Sequence, residues 1–125
     1  MYPADLSLNR IFDAFTGYQR TAALKAAIDI DLFTAIGSGV TTLQALASRC
    51  GAAERGVRAL ANRLVVDGLL TKDGEHYGLA PDAAVFLDGG SPACVASMID
   101  FLTAPAIRGA FDSLTEAVRR GGTAL

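Results

Sequence analysis

Apolar positions recur at helical spacing along almost the whole chain, and the places where the rhythm stops divide it into elements. Leu8, Ile11, Phe12 and Phe15 share one helix face, and Gly17 follows as a terminator. Tyr18 to Ile28 reads as a second helix, dense in Ala. A short third, Ile30 to Ile36, is stopped by Gly37-Ser38-Gly39. Between Ala22 and Ile28 only Lys25 is charged, so that segment is apolar nearly all round and needs cover on more than one side.

Residues 41–79 are the best-marked stretch. Thr41 and Gln44 stand at capping-box spacing, and Leu43, Leu46, Ala47 and Cys50 line one face of a helix that Gly51 closes. A second helix starts near Ala53, carries Val57, Leu60, Ala61 and Leu64 as its stripe, and ends before Gly68. Leu69–Lys72 and Glu75–Leu79 then flank Asp73-Gly74, a two-residue hairpin signal. That turn predicts Lys72 opposite Glu75 and Leu70 opposite Tyr77. Helix, turn, helix and hairpin make a winged helix.

Pro81 to Leu87 reads as a short helix before Gly89-Gly90. Ser91-Pro92 has the form of a helix start, with Val95, Met98, Ile99 and Leu102 as its stripe. Pro105 breaks the run. Ile107, Ala110, Phe111, Leu114 and Val118 continue on one face to Arg119-Arg120 and Gly121-Gly122, after which Thr123 to Leu125 add no closing element. The expected class is therefore mainly α: a winged helix-turn-helix with a small β-hairpin and extra helices at both ends. One domain covers 1–125, divided into opening helices at 1–39, the winged helix at 40–80 and closing helices at 81–125.

At 125 residues and 51% hydrophobic content, the chain has enough material for its own core. For so small a domain, helices apolar on two sides are most simply covered by a second copy, which predicts an intertwined homodimer. No window approaches the roughly 20 apolar residues of a membrane span, and the start lacks a signal-peptide pattern. The expectation is a cytoplasmic protein without membrane contact. Cys50 and Cys94 fall on apolar stripes and read as small buried hydrophobes.

Chemistry is sparse. His76 is the only histidine and has no Cys or His at ligand spacing, so no metal site is expected. Asp29 and Asp31 are two apart and do not share a helix face. No Gly-rich turn follows a predicted strand, and no nucleophile has a base beside it, so neither catalytic nor cofactor-binding residues are expected in this chain. A winged helix raises the alternative of a DNA-binding transcriptional regulator. The second helix sets Arg55, Arg58 and Arg63 against Glu54 and Asp67, and the wing sets Lys72 against Asp73 and Glu75, so the two elements together are neutral. With a net charge of −2, nucleic acid is not the expected partner.

The order of two helices, IDIDLFTAIGSG, and then TTLQALASRCGAAERGVRALANRLVVDGLLTKDGEHYGLAPDAAVFL resembles the N-terminal dimerisation domain of S-adenosylmethionine-dependent O-methyltransferases of the caffeate, hydroxyindole and polyketide-tailoring kind. FDSLTEAVRRGGTAL is similar to the segment where those enzymes leave this domain. The resemblance implies a winged helix serving as scaffold, opening helices interlocked with a second subunit, and a Rossmann-like catalytic domain that binds S-adenosylmethionine, which these residues lack and to which 81–125 would lead. It therefore implies a dimerisation and substrate-lid role, a small-molecule methyl acceptor for the whole enzyme, and no turnover by these residues alone. By position it places Phe101, Leu102, Ile107 and Phe111 at the acceptor pocket, Phe111 standing where relatives often have Trp. It places Phe15 and Tyr18 at a pocket facing across the dimer. The bare pattern of these six fits core or interface packing equally well.

Overall fold

The computed structural model describes residues 2–122, so the tail at 123–125 lies outside the described residues. Eight helices and one hairpin follow in order among those residues. They are α1 (Leu8–Asp29), α2 (Leu32–Gly37), α3 (Leu43–Cys50), α4 (Glu54–Val66), β1 (Leu70–Asp73), β2 (His76–Leu79), α5 (Pro81–Phe86), α6 (Met98–Leu102), α7 (Pro105–Asp112) and α8 (Leu114–Arg120). The class is the expected one, mainly helical with a small antiparallel sheet.

The core is built where the winged helix meets the helices before it. Leu32, Phe33, Leu46, Val57, Ala61 and Leu64 are almost fully covered, with Leu70 and Tyr77 from the wing and Ala83 from α5 closing the lower side. α2 carries the densest share, four buried residues out of six. Ala27 is the one fully buried residue of α1, seated against α2 and α4.

Several boundaries differ from expectation. α1 is a single helix of 22 residues, and Gly17 lies inside it rather than at its end. Neither a proline nor a capping partner interrupts the helix there, so one glycine only weakens it. The break comes instead at Asp31, whose φ of 60° is left-handed, a conformation Asp tolerates better than most residues. Two helices therefore precede the winged helix where three were expected.

The cap of α3 is Thr42, one residue later than expected; its hydroxyl accepts from the Ala45 N–H at 3.4 Å. Thr41 is used by the wing. Its carbonyl accepts from the Tyr77 N–H at 2.9 Å, and its hydroxyl lies 2.9 Å from His76 Nδ1.

The hairpin register is also shifted. Asp73 pairs with His76, Lys72 with Tyr77 and Leu70 with Leu79, which makes Gly74-Glu75 the loop. Gly74 alone takes positive φ, 61°, as a turn with glycine at its first central position requires. The shift keeps every side chain on its expected face. It improves the pairing by setting Leu70 against Leu79 and putting the Lys72 ammonium over the Tyr77 ring at 5.2 Å.

Beyond α5 the chain folds more loosely. Ser91-Pro92 begins a turn, not a helix: the Ser91 hydroxyl donates to the Val85 carbonyl at 2.6 Å and accepts from the Ala93 N–H, and α6 starts only at Met98. The last expected helix is broken at Ser113 into α7 and α8. Cys94 consequently sits in a loop; it and Cys50 are half-buried free thiols rather than core residues.

Candidate functional site

α1 carries two apolar faces. At 3.6 residues per turn, Ala23, Leu24, Ala27 and Ile28 lie together and pack on the core. Leu8, Ile11, Phe12, Phe15 and Tyr18 lie roughly opposite, and all five are exposed, from 49% for Ile11 to 71% for Tyr18. Phe12 and Phe15 meet edge to face with ring centroids 6.1 Å apart. Every residue from Leu8 to Phe15 is exposed, so the first two turns of this helix have no cover within their own chain.

Followed toward its C-terminus, the exposed face of α1 becomes one wall of a cleft. Tyr18, Thr21, Ala22, Lys25, Ala26 and Asp29 form that wall; Leu102, Thr103, Arg108, Phe111 and Asp112, from the segment around α6 and α7, form the other. The cleft is half open and holds about 690 Å³, within the size range of small-molecule sites. Along the α1 wall the Lys25 ammonium meets the Asp29 carboxylate at 2.7 Å. Thr103 is already committed, its hydroxyl donating to the Ile99 carbonyl at 2.6 Å.

Of the six residues expected at a pocket, Tyr18, Leu102 and Phe111 line this cleft. Phe15 lies one turn before Tyr18 on the exposed stripe, Phe101 is exposed outside the lining, and Ile107 is half-buried beside it. The polar lining of Thr21, Lys25, Asp29, Arg108 and Asp112 was missed. Its signal was present: 18, 21, 22, 25, 26 and 29 repeat at helical spacing from Tyr18.

Among the described residues no cluster of three or more His, Cys, Asp or Glu is placed to hold a metal ion. A second, polar hollow of about 500 Å³ lies over Asp31, Arg49 and Cys50. Burial pushes the Cys50 thiol above its ordinary 9.0; the Arg49 charge opposes this and the Asp31 charge adds to it.

The winged helix does not offer a row of free cations. Arg58 lies 3.9 Å from Glu54, Arg63 is bonded to Asp67 at 2.9 Å, and Lys72 reaches the Asn62 side-chain oxygen at 3.4 Å. Nothing in these electrostatics supports the DNA-reading alternative.

Comparison with known proteins agrees with the fold. Residues 12–89 match the family model of the O-methyltransferase dimerisation domain. The tetracenomycin polyketide synthesis 8-O-methyl transferase TcmO of Streptomyces glaucescens is 36% identical over 103 residues, 79% of this chain and 29% of that protein. A crystal structure of a candidate O-methyltransferase from Nostoc punctiforme superposes with a TM-score of 0.90 at 44% identity, over 96% of this chain and 36% of the other. Human N-acetylserotonin methyltransferase, solved with S-adenosylmethionine, shares the fold at a TM-score of 0.78 and 24% identity, over 97% of this chain and 37% of its own. The chain thus spans about a third of the length of these relatives. On the match over residues 12–89, it belongs to the O-methyltransferase dimerisation-domain family.

Proposed function

We propose that this chain joins two subunits of a small-molecule O-methyltransferase and supplies one wall of its acceptor site. In this reading residues 1–39 interlock with a second copy, residues 40–80 are a scaffold, and residues 81–125 lead toward the catalytic domain. The observation that carries it is the pair of opposed apolar faces on α1. One packs on α2 and α4; the other, from Leu8 to Tyr18, is exposed. Burying five large, half-exposed side chains against a second copy is worth on the order of 5 kcal/mol. The same face runs on into the cleft, so pairing along α1 brings the second subunit to the cleft's rim.

The whole enzyme would use S-adenosylmethionine, as relatives solved with it or with S-adenosylhomocysteine do, and would act in the cytoplasm. Among the described residues no helix is long and apolar enough to cross a membrane. The methyl acceptor would rest on Tyr18, Leu102 and Phe111, with Phe15, Phe101 and Ile107 completing the site at the subunit boundary.

Hydrogen exchange tests the pairing directly. Backbone amides from Phe12 to Gly17 should gain protection as protein concentration rises through the micromolar range, while those of α4 stay unchanged. Equal exchange at all concentrations would refute it.

A further inference from the structure

Resting on the reading of the cleft as the acceptor site, we propose that Arg108 and Asp112 select an aromatic ligand that presents a hydroxyl and a carbonyl or carboxylate oxygen on one edge, too far apart to bond to each other. Both side chains line the cleft from α7, one helical turn apart. Both are exposed, and residues at that spacing are close enough to pair when their charges are opposite. Here neither has an ion-pair partner within 4.0 Å among the described residues, and neither side chain makes a hydrogen bond there. The other two charged groups of the cleft behave differently: Lys25 and Asp29, on α1, are closed on each other at 2.7 Å. The cleft therefore holds one satisfied pair and one open pair.

The open pair is chemically complementary. A guanidinium only donates and a carboxylate only accepts. A ligand that meets both must offer an acceptor oxygen to Arg108 and an O–H to Asp112 along one edge. The four charged groups cancel, so the cleft has no field that favours a simple anion or a simple cation. Tyr18 and Phe111, from the two walls, add aromatic surface for a planar ring system. Arg108 also favours a planar oxygen pair, which it grips with two parallel N–H bonds.

Three naphthalene probes test this by calorimetric or NMR titration of the unmodified protein. 7-Hydroxy-2-naphthoate carries both functions on one edge with no bond between them, 2-naphthoate lacks the hydroxyl, and 2-naphthol lacks the carboxylate. The first should bind about tenfold more tightly than either of the others. Arg108→Gln should erase its advantage over 2-naphthol, and Asp112→Asn its advantage over 2-naphthoate, with circular dichroism unchanged. Equal binding of all three probes would overturn the role of this pair and leave the cleft standing as an aromatic site. Failure of every probe to bind would overturn both. The probe comparison needs no variant, so it holds even if a substitution disturbs α7.

Discussion

The hydroxyl of Tyr77, in β2, donates to the side-chain oxygen of Asn62, in α4, at 2.6 Å. This bond ties the wing to the second helix of the helix-turn-helix. Tyr77 is only 3% exposed, and Lys72 donates to the same Asn62 oxygen while covering the Tyr77 ring. Tyr77→Phe removes the bond and keeps the packing, and should cost about 1 kcal/mol. Asn62→Ala should cost somewhat more, because it leaves the hydroxyl facing a gap. The double variant should fall short of the sum, since the two residues share one interaction. Urea unfolding of the four proteins measures this.

Gly17 sits in mid-helix, where a methyl group would meet nothing closer than Arg20 Nη2 at 3.9 Å. Gly17→Ala should therefore stabilise the chain by about 0.5–1 kcal/mol, read as a rise in thermal midpoint with unchanged helix content. A loss of stability would mean that α1 needs a bend or a close approach at this point.

The same glycine shows where the sequence was hard to read. Gly17 and Asp31 both stand at the edge of an apolar run, and residue type alone favours the glycine as the break. What decides is the C-terminal half of α1, where Ala27 must reach α2 and α4; the chain can turn only after it, at Asp31. The hairpin was legible in kind but not in register, because Asp73-Gly74 and Gly74-Glu75 both make plausible two-residue loops. The pairing of Leu70 with Leu79 and the stacking of Lys72 on Tyr77 separate them, and both are tertiary facts. Thr41 lost its expected capping role for a similar reason, since His76 of β2 engages its hydroxyl.

Cys50 offers a pH test. Its thiol is held above the ordinary range, first by burial and then by Asp31, against the opposing pull of Arg49. A thiol whose folded value is raised binds its proton more tightly folded than unfolded. Its contribution to stability is thus complete below the unfolded thiol range and is lost as pH rises through the folded value. Alkylation of Cys50 in the folded protein should show a midpoint above that of a free cysteine. Cys50→Ser should flatten the fall in stability on the alkaline side. A midpoint at or below the free thiol's would contradict burial as the dominant influence on this group.

The candidate cleft was half legible. Apolar stripes and resemblance pointed to Tyr18, Leu102 and Phe111, which line it. Arg108 and Asp112 escaped notice because a charged pair one turn apart on a helix normally reads as a solvated face. Both are indeed exposed, and only the fold shows that they border the same open cleft as Tyr18 and Lys25.

The central claim is that the exposed face of α1 joins two copies of the chain. Sedimentation velocity over a micromolar concentration series tests it most directly, with Phe12→Glu/Phe15→Glu as the comparison. The expected result is a species of twice 12.9 kDa for the unmodified chain, and a folded monomer for the double variant. A clean 12.9 kDa monomer of the unmodified chain throughout the series would contradict the claim.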